Sequence, residues 1–281
     1  MDAQPLPDSA LLDEASATLA PRLMGRVNWI GFRTLFFKEV RRFVKVYMQT
    51  IAAPVVTTLL FYAVFAVAMG TGGTRPPIGG VPYLQFLAPG LIMMAMTQNA
   101  FANTSSSMMI SKVQGNIVDL LMTPISPAEL GIAFVLGGMA RGLLVGLVTA
   151  ATIACFQPFS ITSLGAILVF GTLATMMLSL LGIIGAIWAD KFDHIAAVTN
   201  FVVAPMTFLS GTFYSVNSFP PMLKSATHFN PFFYMIDGFR YGFIGHADAP
   251  LWQGFWVLLA MNAALWVVML RMLVSGYKLK S

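Results

Sequence analysis

Few side chains in this sequence have the types and spacing that chemistry needs. Asp237 and Arg240 stand one helical turn apart, so they can pair or exchange a proton. Asp190, Lys191, Asp193 and His194 crowd one short turn without forming a recognisable catalytic set. His194, His228 and His246 fall on separate segments and lack metal-ligand spacing. The single cysteine, Cys155, permits neither an internal disulfide nor a Cys-x-x-Cys pair. No phosphate-cradling Gly-x-x-x-x-Gly-Lys-Ser/Thr and no His-Glu-x-x-His occurs. We therefore expect no catalytic residue, no metal and no cofactor in this chain. A membrane-embedded transferase would have only Asp237 and Arg240 as a handle, and we read that pair as structural.

Polar residues inside apolar stretches are the next candidates. Gln98, Asn99 and Asn103, followed by three serines, share one stretch, and Asn200 and Thr207 share another. Such residues bond between helices by default, at about 0.6 kcal/mol each. Lining a substrate path is their alternative role. Arg141 is the one charge well inside a predicted span, about two turns from its start, where it can snorkel to the surface. No ladder of buried acids exists, which argues against an ion-coupled secondary transporter.

The elements that carry these residues are apolar runs. Hydrophobic residues make up 57% of the 281 and charged ones 10%, against about 25% charged in soluble domains. Six stretches reach the roughly twenty residues that a ~30 Å hydrocarbon core requires. They cover about 48–70, 89–110, 132–156, 164–188, 195–213 and 251–273, with Pro54 near the start of the first and Pro89 suited to the first turn of the second. Seven basic residues from Arg22 to Lys45 precede the first span, and Arg271, Lys278 and Lys280 close the chain. An even number of crossings and this basic excess put both termini in the cytoplasm. Residues 1–25, acidic and without an apolar core, read as a disordered cytoplasmic tail.

Three segments fit neither span nor plain loop. Residues 29–47 form an amphipathic pattern, with Trp29, Phe32, Phe36, Val40, Phe43, Val44 and Tyr47 against Lys38, Arg41, Arg42 and Lys45. Such a helix lies at the interface among anionic lipids. Glu39 within it favours contact with a cytoplasmic partner, or a pair with Arg42. After Gly115, Asn116 to Met122 can form a short helix, with Asn116 as N-cap and Pro124 and Pro127 as stops. Its apolar side, Ile117, Leu120 and Leu121, calls for a docking groove, because so short a helix is marginal in water. From Gly211 to Gly245, aromatics alternate with Gly and Pro. Two short helices dipping into the outer half of the membrane fit that pattern.

Three of these places resemble the permease subunit of type 2 ABC exporters, in its small single-domain bacterial form. They are Phe37-Lys-Glu-Val-Arg-Arg-Phe43, Gly115-Asn-Ile-Val-Asp-Leu-Leu-Met-Thr-Pro-Ile-Ser126, and the set Leu209-Ser-Gly211, Asn230-Pro231 and Asp237-Gly-Phe-Arg240 with Gly245. The family often has Arg-Glu-x-Gly-Thr and a Glu before its Leu-Leu pair, where this chain has Lys112-Val-Gln-Gly115-Asn116 and Asp119. The resemblance implies an all-α integral membrane protein: six transmembrane helices, an N-terminal interfacial helix, and outer re-entrant helices before the last span. It implies a homodimer in the bacterial inner membrane with two separate ATPase subunits that bind ATP and Mg, and no nucleic acid. It assigns ATPase coupling to Glu39, Arg42, Gly115, Asn116, Ile117, Asp119, Leu120, Leu121, Thr123 and Pro124. Gln98, Asn99, Asn103, Asn200 and Thr207 are the candidates for the path of an amphipathic cargo, a lipid-linked glycan, lipid or drug. Gly211, Asn230, Pro231, Asp237 and Arg240 are expected to shape the re-entrant segment.

Overall fold

The computed structural model describes residues 28–70, 78, 80–158, 160–216, 220, 224 and 227–279, so the expected tail over 1–25 lies outside it. The described residues are helical, with one isolated bridge between Ile78 and Val81 and no sheet. Helix α1 covers Trp29–Lys45. A π turn, Met48–Ala52, leads into α2 (Ala53–Gly70). Then come α3 (Tyr83–Val113), α4 (Asn116–Met122), α5 (Pro127–Phe156) and α6 (Leu164–Trp188). Helix α7 (Phe192–Val198) continues through a second π turn, Thr199–Val203, into α8 (Ala204–Phe208). Helices α9 (Pro231–Ile244) and α10 (Leu251–Ser275) complete the fold.

Four stretches are long and apolar enough to cross a membrane: Met48–Ala68, Pro127–Phe156, Leu164–Trp188 and Leu251–Ser275. The other two expected spans differ for separate reasons. Helix α3 has 31 residues, so length is not its difficulty. It is polar, and neighbours bury it along most of its length, so it has little need of a lipid-compatible surface. It also starts earlier than expected, which places Pro89 inside the helix rather than in its first turn. The expected fifth span, 195–213, is a run of seven, five and five helical residues that ends at Phe208.

Proline explains both π turns. Pro54 and Pro205 each follow one by a single residue. A proline ring clashes with the carbonyl four residues back, here that of Thr50 or Phe201, each inside its π turn. Widening the turn relieves the clash. Thr50 also donates to the Phe43 carbonyl at 2.7 Å, which ties the first π turn to α1.

Two apolar clusters mark the two ends of the bundle. The aromatic end holds Leu87, Ile153, Phe170, Phe239 and Leu258, and the basic end holds Leu35, Met108, Ile117, Leu130, Ile187 and Leu273. Helices α3, α5, α6 and α10 each contribute to both clusters, so each runs from end to end. Leu35, Ile117 and Leu279 share the basic-end cluster, so α1, α4 and the last described residues gather on one side.

Helix α3 is gripped through missing side chains. Gly138, Gly142 and Gly146 recur every fourth residue along one face of α5. A Cβ at Gly142 would stand 2.7 Å from the Met96 carbonyl oxygen, and one at Gly182 on α6 would stand 2.7 Å from that of Phe101. Small residues at this spacing let helix backbones approach closely where apolar burial alone cannot drive association. Gly142→Leu is therefore expected to separate α3 from α5. Overpacking costs about 1–3 kcal/mol where side chains can yield, and here the obstacle is backbone. The measurement is thermal unfolding in detergent, with a marked fall in midpoint expected; an unchanged midpoint would show that the contact is soft.

Candidate functional site

The basic end is built on one glycine. Gly115 takes φ +76°, a left-handed conformation that suits glycine. It closes α3, donating to the Lys112 carbonyl at 3.2 Å, and its own carbonyl accepts from Val118 at 3.2 Å to open α4. Gly115 is thus the N-cap residue of α4, in place of Asn116, whose side chain instead donates to Gln114 Oε1 at 3.2 Å. Thr123 closes α4 by donating to the Leu120 carbonyl at 2.6 Å.

The apolar face of α4 also differs from expectation. Ile117 is only 3% exposed and packs into the chain's own core, with Leu120 and Leu121 against its edge. The outward face is Val118 and Met122, 49% and 76% exposed, with Asp119 beside them. Seven residues with a 3.6 period permit both faces, and the sequence alone does not say which one the protein keeps for itself.

Glu129 fastens this loop to α1. Its carboxylate accepts from the Asn28 backbone at 2.7 Å through Oε1 and from the Ser126 backbone at 2.7 Å through Oε2. Ser126 Oγ accepts from the Glu129 backbone in return, completing a capping box at the start of α5. Asn28 Nδ2 donates to the Pro124 carbonyl at 3.0 Å. The starts of α1 and α5 and the end of the α4 loop therefore move together.

Glu39 and Arg42 face inward. Glu39 is fully buried, accepts from Ser107 Oγ at 2.8 Å, and pairs with Arg42 at 3.4 Å. Arg42 donates to the Asn103 carbonyl at 2.7 Å and to Asn103 Oδ1 at 3.0 Å. The buried stripe of α1 is Leu35, Glu39 and Phe43, while Trp29, Val44 and Tyr47 from the expected apolar face are exposed. A cleft of about 370 Å³ lies between α1, α3 and α4, with Lys38, Arg42, Ser107 and Asp119 in its wall. Across the same end, Lys278 Nζ donates to Asp190 at 2.8 Å, and Lys112 Nζ bonds the Ile187 and Ala189 carbonyls. The Lys278 hydrogen bond, aided by the charges of Lys278 and Lys112, holds the Asp190 carboxyl below the usual range. Asp190 is thus a clamp rather than part of a reactive turn.

A second cleft, about 330 Å³, opens between α2 and α3. Gln98 and Asn99 line it, joined by Gln49, Thr57 and Thr58. The other path candidates stand apart. Asn103 is bonded to Arg42. Asn200 is exposed on the second π turn, and the Thr207 hydroxyl donates to the Val203 carbonyl at 2.7 Å.

At the aromatic end, Asp237 and Arg240 do not pair. Asp237 accepts from the backbone N–H groups of Asp248 and Ala249 at 2.8 and 3.0 Å. Arg240 donates to the Gly211 carbonyl at 2.7 Å and stacks over Phe86 at 3.8 Å. Each bonds backbone that lies far from it in sequence, and both are buried. Asn230 caps α9, accepting from Phe232 at 3.0 Å, and Pro231 is its first residue. The helix expected before it lies mostly outside the described residues.

Comparison with known proteins agrees with this geometry. The family model described as ABC-2 type transporter matches residues 31–244. The chain is 36% identical over 258 residues to the inner membrane transport permease YadH of Escherichia coli (strain K12), covering 92% of this chain and 100% of that one. It is 26% identical over 231 residues to nodulation protein J of Neorhizobium galegae, covering 79% and 83% of the two chains.

Glu129, Asn28, Val118 and Met122 were missed in the sequence. The Ser126-Pro-Ala-Glu129 capping signature was there to find. Glu129→Ala leaves two part-buried backbone N–H groups to find water, so the cost of each falls below the about 1–3 kcal/mol of a buried one. Hydrogen exchange at Asn28 and Ser126 should then quicken while α6 and α10 stay protected; unchanged exchange would show that the carboxylate is dispensable.

Proposed function

The chain belongs to the ABC-2 type transporter family, and from that membership we propose that it is the membrane permease of an exporter driven by a separate ATPase. Six crossings account for the alternation of the bundle: the four long apolar helices, the shielded α3, and the α7–α8 run. This topology puts α1, α4 and the C-terminal residues together in the cytoplasm. That agrees with the basic residues flanking the first and last spans. The relative named as an inner membrane transport permease supports placement in the bacterial inner membrane. Helix α9 sits in the outer half of the membrane as a re-entrant element, its backbone buried in protein as that depth demands.

The observation that carries the reading is α4. It is a seven-residue helix anchored from inside by Ile117 and displaying Val118 and Met122 outward. An anchored helix with an exposed apolar tip fits the groove of a partner. Glu129, Glu39 and Arg42 then pass a push on α4 to α1, α3 and α5. Two copies of this chain stand above two ATPases, which bind the ATP and Mg; this chain holds neither. The cleft between α2 and α3 carries amides and hydroxyls beside Phe61, Leu91 and Met94, a mixed lining suited to an amphipathic cargo.

The test is a double substitution, Val118→Asp with Met122→Asp. Both side chains point away from the core, so the permease should fold and insert normally. The ATPase should no longer co-purify, and transport should fall at least tenfold. A full complement of bound ATPase would overturn the docking.

A further inference from the structure

Arg141 lies deeper than its sequence position suggests. Helix α5 begins at Pro127, so Arg141 stands at the middle of a 30-residue helix. At 1.5 Å per residue it is about 21 Å from the helix start. It does not take the expected escape of snorkelling towards the basic end. The side chain turns to α3 and donates to Asn99 Oδ1 at 2.9 Å. Its Nε is buried and without a partner.

No carboxylate neutralises it. Among the described residues Arg141 forms no ion pair. Glu39 is committed to Arg42 and Ser107. The charge that bears on Arg141 is that of Arg42, which has the same sign. The polar layer joining α1, α3 and α5 thus holds two guanidinium groups and one carboxylate. A charge without a counter-ion at this depth is expensive and marks a pathway.

The cleft between α2 and α3 lies next to this charge. Asn99 belongs to its wall, with Gln49, Thr57, Thr58 and Gln98 as further polar groups and no acid among the lining residues. We propose that Arg141, acting through Asn99, is the counter-charge for an anionic headgroup of the cargo, so that the transported class is an anionic amphiphile bearing phosphate or carboxylate. This rests on the permease reading above. Arg141 is a positioning residue: Asn99 lines the cleft, its Oδ1 held by Arg141 and its Nδ2 donating to the Ala95 carbonyl at 2.9 Å, and the half-buried cation behind it sets the sign of the potential. Cationic amphiphiles are repelled, and neutral ones gain nothing from it.

The test needs no ATPase. The full chain carries Cys155→Ser and Thr57→Cys and sits in nanodiscs of phosphatidylcholine. The readout is the rate at which maleimide alkylates the introduced thiol in the cleft. The probes are dodecyl phosphate and dodecyl maltoside, below their micelle concentrations. Dodecyl phosphate should protect at about tenfold lower concentration, the ratio that one counter-charge of ordinary strength provides. Arg141→Gln should erase that ratio and leave protection by the maltoside unchanged, whereas Arg141→Lys should keep most of it. Asn99→Ala, which removes only the relay, should shrink it. Equal protection by both probes before any change at Arg141, or no protection by either, would overturn the proposal whether or not Arg141→Gln folds. So would a ratio that survives Arg141→Gln. Loss of ATPase docking is read in the separate co-purification experiment, so neither failure imitates the other.

Discussion

A helix too polar for lipid must be hidden from it, and most of this structure follows from hiding α3. Its amide and hydroxyl side chains would be costly against hydrocarbon. Helices α5 and α6 enclose it at distances only glycine allows, with Gly138, Gly142, Gly146 and Gly182 at the contacts. The α3 hydroxyls satisfy themselves on their own helix, as Ser and Thr in any helix can. Thr97, Thr104 and Ser105 each bond a carbonyl three or four residues back. What remains of the polar stripe, Asn99, Asn103 and Ser107, is left to meet Arg141, Arg42 and Glu39.

That stripe joins two clefts that meet only on α3. Ser107 and Arg42 border the cleft beside α4. Gln98 and Asn99 border the cleft beside α2. Between them runs a column of side-chain bonds about two helical turns tall, carried on one rigid helix. A displacement of α1 against α3 must break or re-form the Arg42–Asn103 bonds, and these lie one turn from Asn99. The basic end and the interior are thus neighbours in hydrogen bonding, although the nucleotide chemistry belongs to another protein.

The sequence made the bundle legible through hydropathy and the distribution of basic residues, because both act over whole segments. Gly115 was legible as a break, since glycine before a short apolar run has few other uses. The direction of a face was not. Ile117 turns inward because Leu35, Met108 and Leu130 await it, and they come from three different helices. Asp237 and Arg240 have the spacing of a pair, yet backbone groups from Gly211 and from Asp248 and Ala249 reach them first. Arg141 stands mid-helix because the Ser126-Pro127 start lengthens α5 by about a turn, and its bond to Asn99 on α3 is a tertiary contact that spacing does not reveal.

The α7–α8 run has a geometric consequence for the lipid around it. Its seventeen helical residues rise about 25 Å, and a π turn is wound more widely than the α-helix that figure assumes. The hydrocarbon slab beside it is about 30 Å thick. Its neighbour α6 is longer, with 25 residues. In the six-crossing topology proposed above, so short a run is accommodated by a thinner bilayer beside it, by flanking side chains that reach for the headgroups, or by packing against another copy.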